Sequence, residues 1–324
     1  QHSQKNKIYR LMLKNRLFKF SRSIIKIILP IFYNLFLFFK VNRRVINFLE
    51  EKSFHSNNNQ NFSKLLDNLL LDKKIIAIDV GARGGFNSDN SFHQRYNKFF
   101  EKILVEPDRD GEENSGKNII NKGLWSKKEK KTLFVLGDRP GSSSMYEPQK
   151  KNFDLHNIKE KDYAKFNITN KQEIECDTLN NLLDGLRIKN LDYLKIDTQG
   201  SELEILKGIG NYRPLLIRLE AHIFSMYKDV PSWDKLLNYL YEMNYVLIDW
   251  KGIGSHSTRI AAEMDMIFIP NFNNSRGKNL LLSSKSKFKS LMLIFGQINL
   301  LKIIMKKLNI ENQEIEKFED LYFN

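Results

Sequence analysis

Short apolar runs alternate with longer mixed stretches along most of the chain. Ile75–Ile78, Ile103–Val105, Ile119–Ile120, Leu191–Ile196, Leu215–Leu219, Tyr245–Ile248 and Met266–Ile269 are each too short for a buried helix, and the first is rich in β-branched residues. They read as seven strands, several buried on both faces as in a parallel sheet. Between them, apolar residues recur at helical spacing. Ser63–Leu71 groups Leu65, Leu66, Leu69 and Leu70, and Pro231–Met243 groups Trp233, Leu236, Leu237 and Leu240. Ser201 with Glu204 reads as a capping box at the start of a short helix that Gly208 closes. This alternation predicts an α/β fold, a doubly wound, mostly parallel seven-stranded sheet with an antiparallel last strand. Lys131–Leu136 and Gln172–Cys176 are further β-rich segments, bracketing a polar insertion that contains Gly141-Ser142-Ser143-Ser144-Met145.

The flanks break the pattern. Residues 8–44 interleave apolar clusters with Lys and Arg, and the apolar stretch Ile24–Phe39 is 16 residues long and interrupted by Lys26, Pro30 and Asn34. That is shorter than the ~20 residues a spanning helix needs. No small-residue cleavage site follows, so a signal peptide is not expected. At the other end, Leu291, Ile294, Phe295, Ile298, Leu301, Met305 and Leu308 share one face of a stripe over Lys285–Leu308. Such a stripe either docks on the domain or a partner, or lies on a membrane as a basic amphipathic helix. The expected organisation is a helical N-terminal extension over 1–52, a polar linker over 53–62, the main domain over 63–275 and a helical C-terminal extension over 276–324.

Charge sharpens this division. Residues 1–73 carry 14 Lys/Arg against 4 Asp/Glu, residues 271–324 carry 9 against 5, and residues 74–270 carry 29 of each. The whole net charge of +14 therefore sits in the flanks. A nucleic-acid groove would place positive charge on the core as well, so no nucleic acid is expected as a partner. Peripheral contact of the flanks with an anionic membrane, on its cytoplasmic face, is the expectation instead. One cysteine, Cys176, excludes an internal disulfide framework and suits a reducing compartment such as the cytoplasm.

Candidate chemistry collects at strand ends. Asp79 closes the first run and is followed by Gly81-Ala82-Arg83-Gly84-Gly85, where glycine lets the backbone turn and approach a ligand. The dinucleotide fingerprint G-x-G-x-x-G is absent, because Arg83 holds the middle position. Glu106-Pro107-Asp108 ends the second run, where an acid can grip a ribose diol. Asp197 ends the fourth strand and Glu220 the fifth, with His222 two residues further on.

In this order, DVGARGG (79–85), VEPD (105–108), GDRPGSSSM (137–145), CDTL (176–179), LDYLKIDTQGSELEILKG (191–208), a strand ending in Glu220 and SMYK (225–228) resemble the FkbM-type family of S-adenosylmethionine-dependent methyltransferases. The resemblance covers roughly residues 74–270. It implies a class I, Rossmann-like methyltransferase fold and O-methylation of a hydroxyl on a carbohydrate, glycolipid or related acceptor. The expected cofactor is S-adenosylmethionine, held by Asp79, Gly81, Ala82, Arg83, Gly85, Glu106, Pro107 and Asp197. Arg83 stands where many members have Asn.

For catalysis, Asp197, Glu220 and His222 are expected to face one crevice. His222 can serve as general base near neutral pH. Alternatively the three hold Mg²⁺ or another divalent cation that orients the acceptor. His156 is assigned no role. The rival readings are a nicotinamide-dependent oxidoreductase and a non-catalytic basic adaptor for membrane or nucleic acid. The missing fingerprint counts against the first, and the intact acids at 79, 106 and 197 count against the second.

Overall fold

The computed structural model describes residues 59–86, 94–108, 119–251 and 262–310. The segment 1–52 and most of the expected linker lie outside the described residues. Helix α1 (Asn59–Leu70) leads into strand β1 (Ile75–Val80), so the helix begins inside the stretch expected to be linker. The chain continues through β2 (Phe100–Val105), β3 (Ile119–Ile120), β4 (Gly123–Leu124), β5 (Glu129–Leu136) and β6 (Ile168–Asp177). Then follow α2 (Leu179–Gly185), β7 (Tyr193–Ile196), α3 (Glu202–Lys207), β8 (Leu216–His222) and α4 (Trp233–Glu242). The last elements are β9 (Tyr245–Lys251), β10 (Glu263–Pro270), α5 (Ser275–Ser283), α6 (Lys285–Ile294) and α7 (Ile298–Lys307).

Seven strands form one sheet in the order β3-β2-β1-β7-β8-β10-β9, and β4-β6-β5 form a second, three-stranded sheet. The first five strands of the large sheet are parallel; β10 runs antiparallel to both β8 and β9. The expected seven strands are thus present, with the last strand in sequence inserted next to the edge. Only two residues separate β3 from β4, so the chain steps directly from the large sheet to the small one.

Alternation along each strand divides the interior. Ile75 and Ala77 of β1 join one apolar cluster with α1, α6 and α7, while Ile78 and Val80 join another with α2, α3 and α4. A third, smaller cluster of Leu136, Phe153, Phe166, Met226 and Tyr227 lies under the insertion between the two sheets.

The C-terminal stripe is part of the core and not an appendage. It is also two helices. Gly296 takes φ +72°, Gly296 N–H donates to the Leu293 carbonyl and Gln297 N–H to the Met292 carbonyl, the paired bonds of a glycine-stopped helix end. Phe288, Leu291, Leu301, Ile304 and Met305 are fully buried against α1 and the sheet. Lys287 adds a 2.5 Å ion pair to Asp192, whose carboxylate also accepts from Ile76 N–H at 2.8 Å. Among the described residues no helix is long and apolar enough to cross a membrane.

Leu301→Ala should therefore cost about 2–5 kcal/mol of unfolding free energy, read as a lowered urea midpoint. A chain ending at residue 275 should show no cooperative transition. A truncated chain that unfolds like the intact one would make α6 and α7 appendages after all.

Candidate active site

The ends of β1, β2 and β7 meet beside the small sheet and line an open cleft. Its floor is the turn after β1. Gly81 takes φ +81°, and a Cβ there would stand 1.9 Å from the Asp197 carbonyl oxygen. The turn is clipped to β2 by Gly81 N–H and Ala82 N–H, both donating to the Val105 carbonyl at 2.9 and 3.2 Å. Backbone from β1 and β7 can approach this closely only because residue 81 has no side chain.

Glu106 and Pro107 form one wall with Arg83, whose guanidinium pairs with Asp108. Asp108 N–H in turn donates to Glu106 Oε1 at 3.0 Å. Burial raises the Glu106 pKa from its ordinary value, and this hydrogen bond and the Arg83 charge only partly counter it. Opposite stand Lys122, Gly123 and Leu124 and the insertion residues Gly141, Ser143 and Ser144. Asp197, Thr198, Gln199 and Ser201 complete the cleft.

Val80, Gly81, Arg83, Glu106, Pro107 and Asp197 thus line the cleft, but Asp79, Ala82 and Gly85 do not. Asp79 has no solvent exposure and lies 3.2 Å from Lys195 Nζ, its cross-strand partner in register. Ala82 is buried, and Gly85 N–H closes the turn onto the Ala82 carbonyl. All three were expected to touch the cofactor; the structure sets them outside the cleft lining. The expected capping box is also replaced. Ser201 makes no capping bond, and Glu204 bonds Ser126 and Lys207. Glu202 does the local work: its Oε1 accepts from Thr198 N–H, Thr198 Oγ1 and Gly200 N–H, all at 3.0–3.2 Å. Burial pushes the Glu202 pKa up to about 7. Among the described residues Ser201 Oγ, buried at the cleft, has no hydrogen-bond partner, as expected where a polar ligand is to fill the space.

The sequence profile of the Methyltransferase FkbM domain matches residues 79–247. The chain belongs to the FkbM methyltransferase family. No curated protein matches the chain. The matched span of the FkbM domain holds the whole cleft and ends before β10 and the C-terminal helices.

Behind the cleft of this FkbM domain lies a second polar group. Gln199, at φ +57° in the turn after β7, donates from Nε2 to Glu220 Oε2 at 2.7 Å and lies 3.4 Å from Asp197 Oδ1. Its Oε1 is 3.0 Å from Tyr227 OH, and its carbonyl accepts from Ser144 Oγ at 2.7 Å. The SMYK and GSSSM segments therefore meet on one glutamine. Sequence reasoning passed over Gln199, although its place between two strand-tip acids was the available signal.

Glu220 and His222 do not sit on a loop after β8; they are its last turns of pleat, paired in register with Asp265 and Glu263 of β10. His222 Nε2 is 3.6 Å from Glu220 Oε2. Burial pushes the His222 pKa down to about 4, below the near-neutral value expected of a general base. Burial, with the nearby Asp197 and Glu263 charges, raises Glu220 well above its ordinary value. The carboxylate that joins Glu220 and His222 within ligating distance is Glu263 and not Asp197. Asp197 instead faces the cleft, with Lys195 Nζ 3.5 Å from its Oδ2. His156, assigned nothing from sequence, is buried in the same group. Its Nδ1 is 3.6 Å from Glu263 Oε2, and its Nε2–H donates to the Phe224 carbonyl at 2.7 Å.

The two cleft glycines provide a paired test. Gly81→Ala should lower stability by about 2 kcal/mol or more, from left-handed strain and the clash with Asp197, and should abolish ligand binding. Gly141→Ala, with nothing within 4 Å of the new methyl group, should leave the denaturation midpoint unchanged.

Proposed function

We propose that this chain transfers a methyl group from S-adenosylmethionine to a hydroxyl of a carbohydrate, glycolipid or related acceptor. The observation that carries the reading is Glu106 at the end of β2, facing the glycine turn after β1 across one cleft. A carboxylate there can accept both hydroxyls of a ribose, as such strand-tip acids do in nucleoside-binding sheets. The unpartnered Ser201 Oγ and the Asp197 carboxylate border the same space and suit the amino and carboxylate groups of an amino-acid moiety. Bound there, S-adenosylmethionine supplies an electrophilic methyl group on a sulfonium.

The protein's share of the work is alignment and removal of the hydroxyl proton. Sulfonium charge disappears during transfer, so in-line positioning outweighs charge stabilisation. Lys195, anchored on Asp79, holds Asp197 at the cleft wall. Gln199 links Asp197 to the Glu220–His222–Glu263 group, to which we assign the acceptor side. The acceptor class follows from the family resemblance. The basic segment 1–52 supports an acceptor at an anionic membrane surface, an assignment that rests on sequence alone.

S-adenosylhomocysteine at a hundred times its Kd should raise stability by about 2.7 kcal/mol, while NAD⁺ gives no shift. The reverse result in a melting assay would replace the methyltransferase reading with an oxidoreductase.

Glu106→Ala should weaken S-adenosylmethionine roughly ten- to hundredfold by calorimetry, the loss of a charged acceptor worth about 1.5–3 kcal/mol. Because burial raises the Glu106 pKa, wild-type affinity should fall as pH drops through that raised value. Stability has the opposite sign. The favourable contribution of protonated Glu106 is present below its unfolded pKa and is lost as pH rises through the folded one, so Glu106→Gln should be more stable than wild type at neutral pH. Equal affinity in Glu106→Ala would remove this residue from the cofactor site.

A further inference from the structure

The group behind Gln199 is unusual for what it lacks. His222 is buried, and among the described residues neither Nδ1 nor Nε2 has a hydrogen-bond partner. A buried imidazole left so is costly, and such orphans mark a missing water, ion or ligand. The nearest carboxylate oxygen, Glu220 Oε2, is 3.6 Å from Nε2, beyond hydrogen-bond range. From the antiparallel neighbour, Glu263 enters the same space, and donor atoms of Glu220, His222 and Glu263 lie within 4.8 Å of one another. Donors about 2.1 Å from one ion stand roughly 3–4 Å apart, so closing the three onto a cation needs side-chain movement of about 1 Å.

We propose that Glu220, His222 and Glu263 form a site for a divalent transition metal of the Zn²⁺ or Mn²⁺ type. One imidazole and two carboxylates favour these ions over Mg²⁺, which is satisfied by oxygen ligands and water. Three protein ligands leave positions open, the mark of a metal that meets substrate and not of a closed structural site. The register supplies the rigidity. Glu220 and His222 project from one face of β8, and Glu263 sits directly opposite His222 on β10. His156 stands beside the site, its Nε2–H fixed on the Phe224 carbonyl and its Nδ1 3.6 Å from Glu263 Oε2.

The site lies one side chain from the cleft, since Gln199 lines the cleft and donates to Glu220. A cation there would polarise an acceptor oxygen brought to the cleft, a role that rests on the methyltransferase reading above; the ion binding itself does not.

The test is calorimetric titration of the full chain, stripped with chelator, with ZnCl₂, MnCl₂ and MgCl₂ in turn. We expect one site per chain for Zn²⁺ and Mn²⁺ and at least tenfold weaker Mg²⁺ binding. His222→Ala and Glu263→Gln should each weaken Zn²⁺ and Mn²⁺ at least tenfold, with S-adenosylhomocysteine affinity unchanged. If His222→Ala fails to fold by circular dichroism, Glu263→Gln, which keeps the side chain's shape, decides. No stoichiometric binding to the stripped protein, or binding that survives Glu263→Gln, overturns the site. Metal binding without S-adenosylhomocysteine binding would leave the site standing and sink the methyltransferase reading; the converse sinks this inference alone.

Discussion

A carboxylate with no solvent exposure has to be matched by charge or hydrogen bonds, and Asp79 is matched by Lys195 on the neighbouring strand. Much of the site's geometry follows from that buried pair. It locks β1 to β7 in the register that sets Val80 opposite Ile196, so the turn at Gly81 closes directly under Asp197. The same ammonium lies 3.5 Å from Asp197 Oδ2 and holds that carboxylate at the cleft wall. One lysine thus converts a buried strand-end acid into the support for an exposed one. Breaking such a pair leaves an uncompensated buried charge, a cost of about 3–5 kcal/mol.

From this anchor the polar groups divide by depth. At the surface the cleft is made of backbone that approaches closely at Gly81, an acid whose charge burial disfavours, and an orphaned serine hydroxyl. One layer deeper, Gln199 joins Asp197 to Glu220 and receives the insertion through Ser144 and the following loop through Tyr227. Its left-handed backbone is held by Glu202, which binds the N–H groups on either side of it. Local strain at one turn is thereby stabilised from three separate segments of the chain.

Several features were written locally enough to be read directly. The strands show as short apolar runs, the cleft glycine as part of an acid-glycine turn, and Glu106 as an acid stopped by Pro107. The break between α6 and α7 was legible too, in Gly296 followed by Gln297, but the continuous apolar stripe concealed it. The capping box failed for a different reason. Ser201 and Glu204 have the right spacing, yet Ser126 and Lys207 draw Glu204 away, and Glu202 turns back onto the preceding loop.

The sequence by itself determined the α/β alternation, the strand-end acids and the family, because each depends on residues close together in the chain. Only the tertiary structure decided which acids share a site. Asp197 and Glu220 end neighbouring strands, but the strand that comes last in the sequence brings Glu263 to His222 from 41 positions away, and the insertion brings His156. It likewise decided that Asp79 faces a lysine and that the C-terminal stripe faces the core. Pairing across a sheet is set by register and burial, and neither is encoded in the spacing of any one segment.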